Sequence, residues 1–232
     1  MFAESQIFGR SAKLALKAIG APAIRGLPCQ PLTDDARFGL EWVLKRLVEA
    51  PRREIRARAR VSETLLLFID GACEPAADNW CSAVRQLWGR RGLKFFGLRL
   101  PDEVTAVWSG GVKQNLVFEA EVLPYNLALS CWGGLLRDRH VLVFIDNDGA
   151  RHSWIKGSAD SRHARRMSHQ GTLPESDLNT TPYFCMVPTT SNLADGPSRL
   201  DFGVCLQLGA EETAVDFAVL RECALAGRSG DG

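Results

Sequence analysis

An α/β fold is expected for this 232-residue chain, on three observations. Two continuous apolar runs, Thr64–Ile69 and Val141–Ile145, read as strands buried on both faces. Each is followed directly by an aspartate, Asp70 and Asp146. Between them, from about Glu119 to Leu136, apolar residues recur at helical spacing. Ligands of sheets covered by helices gather at the carboxyl ends of the strands, which makes those two aspartates candidates for chemistry.

Composition narrows the class. With 46% hydrophobic and 24% charged residues the chain is not of the disordered type. No apolar run approaches the roughly 20 residues of a membrane-spanning helix. The opening MFAESQIFGRSAK lacks the continuous apolar core of a secretory signal. The net charge of +1 conceals an asymmetry: residues 1–60 carry 12 Lys/Arg against 6 Asp/Glu, and residues 61–232 carry 16 against 21. A basic flank beside an acidic body suits a polyanion-facing arm next to a site that uses carboxylates. Seven cysteines, an odd number without a Cys-x-x-Cys pair, imply a reducing compartment, so an intracellular location, cytoplasmic or nuclear, is expected. Cys131 and Cys185 lie in apolar stretches and read as buried thiols. His140, His152, His163 and His169 do not combine with the cysteines at zinc spacing.

Taken in order, residues 1–60 read as a basic helical connection segment. It holds a short helix from Ser11 to Ile19, a second from Asp34-Asp35 to Pro51, and the basic run 52–60. The strand at 64–69 follows, then a polar, Trp-containing segment, Ala76–Arg91, read as irregular. Leu93–Leu100 and Val104–Trp108 read as two strands split by Pro101-Asp102. In the helix to Leu136, Pro124 is tolerable only near the first turn. After the strand at 141–145, residues 150–169 read as a basic helix and 170–182, with Gly171 and Pro174, as loop. Tyr183–Val187 is a late strand, Asn192–Arg199 a short helix or turn, and 210–226 a terminal helix. Trp132 and Trp154, within helices, read as core residues rather than stacking platforms for bases.

The chemistry lies in the combination of acids. Asp70, an acid at the start of the following helix, Asp146 and Asp195 would repel one another if they converged, and would need protons or cations to balance them. Oxygen ligands favour hard ions such as Mg²⁺ or Mn²⁺. Two such ions roughly 4 Å apart can clamp the attacking and leaving oxygens of a phosphodiester displacement.

The segments LLLFIDGAC (65–73), FEAEVLPYNLAL (118–129), VLVFIDNDGARHSWIKG (141–157) and VPTTSNLADGPSRL (187–200) resemble the ribonuclease H domain that follows the polymerase in retroelement (retrotransposon) reverse transcriptases. The resemblance covers about residues 61–202, leaving 203–232 as a C-terminal helix and tail. It implies a five-stranded mixed sheet with helices on both faces, here preceded by a short helical segment. It also implies endonucleolytic cleavage of the RNA strand of RNA–DNA hybrids with two Mg²⁺ ions, Mn²⁺ being an alternative. Carried over position by position, the catalytic metal ligands are Asp70, Glu121, Asp146 and Asp195. The choice between Glu119 and Glu121 rests on the family register, in which the glutamate lies about eight residues before the leucine of an Ala-Leu pair, here Ala128-Leu129. Pro124 agrees, because proline suits a first turn and so predicts a helix starting close to Glu121. Glu119 is then expected to be a solvated or phosphate-side neighbour.

Three departures from the family pattern stand out. The Gly-rich hairpin after the first aspartate and the amphipathic helix before the last strand are missing from the pattern. Pro188-Thr189-Thr190-Ser191 stands where cellular members place a histidine. The Tyr/Phe-x-Asp-Asp signature of a polymerase does not occur, so the chain is expected to be a fragment or a decayed copy. Asn147, Arg151, Lys156, Arg162, Arg165 and Arg166 are the candidate nucleic-acid contacts. Two other readings compete: a degenerate, non-catalytic nucleic-acid-binding remnant of the same fold, and a DNA nuclease or transposase of the same superfamily. Asp146-Asn147-Asp148 also suggests an aspartyl-phosphate phosphatase, a reading that leaves Asp195 without a role.

Overall fold

The computed structural model describes residues 33–49, 64–73, 79–87, 92–110, 115–157, 159 and 161–225. The expected helix at Ser11–Ile19 and the basic run 52–60 lie outside them. Helix α1 (Asp34–Glu49) starts at Thr33, whose Oγ1 accepts the Ala36 amide at 3.2 Å. Its buried Trp42 meets His169 edge to face.

Six strands form one sheet in the spatial order β5-β4-β1-β2-β3-β6. They are β1 (Leu65–Cys73), β2 (Asn79–Leu87), β3 (Lys94–Arg99), β4 (His140–Ile145), β5 (Thr181–Met186) and β6 (Glu211–Glu212). The first three form an antiparallel meander, whereas β1, β4 and β5 run parallel, so the sheet is mixed. The sixth strand is a two-residue parallel addition to β3, one more than the five expected.

Three sequence expectations change here. Residues 79–87, within the segment read as irregular, form β2, which bonds to β1 on one side and β3 on the other. Residues 104–108 belong to helix α2 (Asp102–Ser109), not to a strand. Pro101 precedes it with φ −63°, Asp102 and Glu103 occupy the positive end of its dipole, and Val104 and Trp108 fall one turn apart on its buried face. Third, the loop expected over 170–182 is largely the second half of helix α5 (Arg162–Asp177). Gly171 does not break it. A Cβ there would stand 2.2 Å from Asn126 Oδ1 and 2.8 Å from Trp154 Cη2, so the glycine lets α5 press against its neighbours.

One face of the sheet supports helix α3 (Val117–Leu136), α4 (Asp148–Lys156), α5 and α7 (Phe217–Leu225). Leu65, Leu67, Ile69, Val141, Val143 and Ile145 are buried beneath these helices. Beside them Tyr125, Trp154 and Phe184 form an aromatic block, with ring centroids 4.7, 5.4 and 5.9 Å apart. On the other face residues 193–210, whose only α-helix, α6 (Gly203–Gln207), has five residues, pack over Phe68 of β1 and Phe95 of β3. Residues beyond 202 share the main core: Leu220, Cys223 and Ala224 are buried in it, and the Ala224 carbonyl accepts Trp108 Nε1 at 3.0 Å. No helix among the described residues is long and apolar enough to cross a membrane.

Candidate metal centre

Alternation along β1 places successive side chains on opposite faces of the sheet. Asp70 therefore points to the side covered by residues 193–210 and Gly71 to the side of α3. Strand β1 does not end at Asp70, as expected, but continues three residues to Cys73 on the support of β2. Its ladder with β4 covers only Leu65–Phe68 against Val141–Phe144. Asp70 and Asp146 thus stand where the two parallel strands part.

Gly71 brings in the third acid. A Cβ on it would lie 2.3 Å from the Ala120 carbonyl carbon and 2.5 Å from both Ala120 O and Glu121 N. The strand and α3 are in backbone contact at this point, which sets Glu121 beside Asp70. Helix α3 begins at Val117, so Pro124 lies in its third turn rather than its first. Proline has no N–H, so the Ala120 carbonyl loses the donor that would stand four residues on, and this carbonyl is the one that β1 crosses at Gly71. Two consequences of the early helix start separate the two glutamates. Glu121 faces the aspartates, while Glu119, expected to be solvated, is fully buried and accepts a hydrogen bond from Ser161 Oγ.

Ligand oxygens of Asp70, Glu121 and Asp146 lie within 4.8 Å of one another. Asp195, half-buried in the segment between two 3₁₀ turns, lies outside this tight group but lines the same 260 Å³ cleft, together with Thr189 and Arg199. Arg199 Nη2 is 3.5 Å from Asp195 Oδ1. Burial, reinforced by the charges of Asp70 and Asp146, pushes the Glu121 carboxyl up to about 10. Burial also raises Asp70 to about 7; a hydrogen bond from Ser198 opposes the shift, and Asp146 and Asp195 add to it. Glu121 Oε2 and Asp146 Oδ1 are buried without a hydrogen-bond partner. Oxygen donors gathered this closely, two of them orphaned, are the donor set of a hard divalent cation, and the residues present fit one.

The candidate nucleic-acid residues do not line the cleft. Asn147 caps α4 instead, accepting the Ala150 amide at 3.0 Å, and its side chain also hydrogen-bonds Glu121. Arg151 pairs with Asp148 at 2.6 Å. Lys156 and Arg162 are exposed at the corner between α4 and α5, and Arg165 Nε donates to the Ala159 carbonyl at 3.0 Å. Arg166, one residue on, is half-buried. Arg199 is the functional candidate that the sequence left without a role; its place four residues after Asp195, one helical turn on, was the available signal.

No family model and no curated protein matches the chain. Among solved structures it is similar to RNase H1 from the halophilic archaeon Halobacterium salinarum NRC-1. That match has 12% identity and a TM-score of 0.44, and covers 60% of this chain and 97% of that one. It is also similar to the N-terminal RNase H domain of a Mycobacterium tuberculosis protein, solved as a fusion with maltose-binding protein. Here the identity is 13% and the TM-score 0.44, covering 64% of this chain and all of that one. Likeness at this level carries no argument about chemistry, which rests on the acids of the cleft.

Proposed function

We propose that this chain is a divalent-metal-dependent endonuclease of the ribonuclease H type, hydrolysing the RNA strand of RNA–DNA hybrids as part of a retroelement reverse transcriptase. The observation that carries the reading is the convergence of Asp70, Glu121 and Asp146 within 4.8 Å, with Asp195 on the same cleft. The order of these acids along the chain, and the motifs around them, supply the substrate class by resemblance.

Asp70, Glu121, Asp146 and Asp195 would hold a pair of hard cations, which would supply charge stabilisation for an in-line phosphodiester displacement. The protein's share is placement. Asp70, Glu121 and Asp146 turn carboxylate oxygens into the cleft from three core elements, and Asn147 orients Glu121. Arg199, on the rim, is placed to receive a phosphate oxygen. Lys156 and Arg162 offer charge to the sugar–phosphate backbone farther along.

The test is cleavage of a strand-labelled RNA–DNA hybrid beside duplex DNA, single-stranded RNA and single-stranded DNA, in Mg²⁺, Mn²⁺ or Ca²⁺. Cutting confined to the RNA strand of the hybrid, present in Mg²⁺ or Mn²⁺ and lost in EDTA, is the expected result. Cutting of duplex DNA identifies a DNA nuclease instead. Binding of the hybrid without cutting in any metal identifies a non-catalytic module.

A further inference from the structure

The segment Asn192-x-Ala194-Asp195-x-x-Ser198-Arg199 has two polar members, Asn192 and Ser198, that face the protein rather than the cleft. Asn192 is buried. Its Nδ2 donates to the Ile69 carbonyl at 3.1 Å, one residue past the last β1–β4 pair and one residue before Asp70. Its Oδ1 accepts the Ala194 amide at 3.1 Å, so the same side chain shapes the turn that leads into Asp195. Ser198 is fully buried; its single hydroxyl proton has two acceptors, the Asp195 carbonyl 2.8 Å from Oγ and the Asp70 carboxyl. One hydroxyl oxygen thus touches the backbone of one acid and the side chain of another. From the sheet side the segment is seated on Gly97 of β3, where a Cβ would stand 2.5 Å from the Pro197 carbonyl oxygen.

These contacts separate the acids into two kinds. Asp70, Glu121 and Asp146 hang from β1, α3 and the end of β4, elements locked into the main core. Asp195 hangs from a segment of short 3₁₀ turns that has no strand ladder; Asn192 ties that segment to the β1 backbone at Ile69, and Ser198 meets the Asp70 carboxyl. We propose that Asn192 and Ser198 are positioning residues that set Asp195 against Asp70, so that a cation held through Asp195 depends on this latch far more than one held through Glu121 and Asp146. The inference rests on the metal-dependent reading of the cleft, but not on the identity of the nucleic acid. Partners that orient a metal ligand from behind are worth about 10–100-fold in metal affinity.

The experiment counts bound Mn²⁺ on the full chain by electron paramagnetic resonance of the free ion, alongside thermal melts. The parent, Ser198→Ala, Asn192→Ala and the hydroxyl-retaining Ser198→Thr are compared. The parent is expected to bind two ions. Asn192→Ala should weaken one of them by about 10–100-fold and leave the other within about twofold; Ser198→Ala, which also loses its contact with Asp70, should weaken that same ion the more strongly of the two, with Ser198→Thr recovering much of the loss. In hybrid cleavage, the Mg²⁺ concentration for half-maximal rate should rise by the same factor while KM for the hybrid stays constant. Should Ser198→Ala fail to fold, Asn192→Ala carries the same comparison from the other anchor. Two outcomes overturn the proposal: both ions weakening equally in Asn192→Ala, or neither changing in either variant while only the melting temperature falls. A parent that binds two ions and shows the latch effect, yet leaves hybrids uncut, keeps the latch and rejects the hybrid reading. A parent that binds no Mn²⁺ rejects both.

Discussion

One turn of α3 separates Glu121 from Tyr125, and the two side chains enter opposite kinds of interior. Tyr125 meets Trp154 and Phe184 edge to face, and the last two rings stack at an interplanar angle of 8°. Such contacts attract, and they bury large apolar area. Glu121 instead meets Asp70 and Asp146, with one of its own oxygens and one of Asp146's left without partners. Those contacts repel unless a proton or a cation enters. The aromatic block is built for stability and the acidic cleft against it, and the shared helix joins the two. Departures from local consistency of this sort concentrate at functional sites, with compensation elsewhere in the fold.

The largest expected effect lies on the aromatic side. Trp154 is fully buried, and Trp154→Ala should lower the unfolding free energy by about 3–5 kcal/mol, read from the midpoint of denaturant unfolding. A loss below about 1 kcal/mol would mean that the block does not carry the fold.

On the acidic side the loss should fall on cleavage rather than on stability. Glu121→Gln should reduce Mg²⁺-dependent hybrid cleavage by at least about a hundredfold while leaving metal-free stability nearly unchanged, because burial already holds the metal-free carboxyl protonated and glutamine keeps its shape. Glu119→Gln should do the opposite. It should keep cleavage within about threefold and lose about 1 kcal/mol of stability, since the buried bond from Ser161 must then be remade to an amide. The reverse pattern in the paired assays would undo the assignment of Glu121 to the cleft.

The pH dependence follows from the same charges. Asp70 and Glu121 are raised in the folded protein, to about 7 and about 10, above their values in the unfolded chain. The folded state therefore holds protons that the unfolded state releases. Stability from these two groups is full below about pH 4 and is lost as pH rises through 7 towards 10. Thermal melts in EDTA should show the melting temperature falling between pH 5 and pH 8, with Mg²⁺ flattening that fall and Asp70→Asn removing part of it. A parent and an Asp70→Asn variant with the same slope would show that the acids do not converge in solution.

The smallest effect concerns the rim. Replacing Lys156 and Arg162 together with alanine should reduce the dependence of log Kd on log salt for hybrid binding by up to about 2. An unchanged slope would return both to an ordinary solvated surface.

Residues that announce their own environment were legible in the sequence. The runs at 65–69 and 141–145 are apolar without interruption because the strands they form are buried in a sheet with neighbours on both sides, and Asp70 and Asp146 interrupt that pattern where the strands part. The acids could be ordered along the chain for the same reason. The course of β2 was not legible, because its neighbours in the sheet, rather than its residue types, hold residues 79–87 extended. Nor was the length of α5. Gly171 and Pro174 read locally as a break, whereas Gly171 is in the helix for its contact with Asn126 and Trp154.

The sequence by itself determined an α/β fold, its two acid-bearing central strands and the helix between them, because continuous apolar runs and helical spacing are local properties that burial imposes on composition. Tertiary structure alone decided that Glu119 is buried against Ser161 and that Asn192 and Ser198 fasten Asp195 beside Asp70. Each of those outcomes depends on a close approach between segments far apart in the chain, such as Ser161 against Glu119 or Asn192 against Ile69. Contacts of that kind follow from the geometry of packing, and no periodicity along the chain records them.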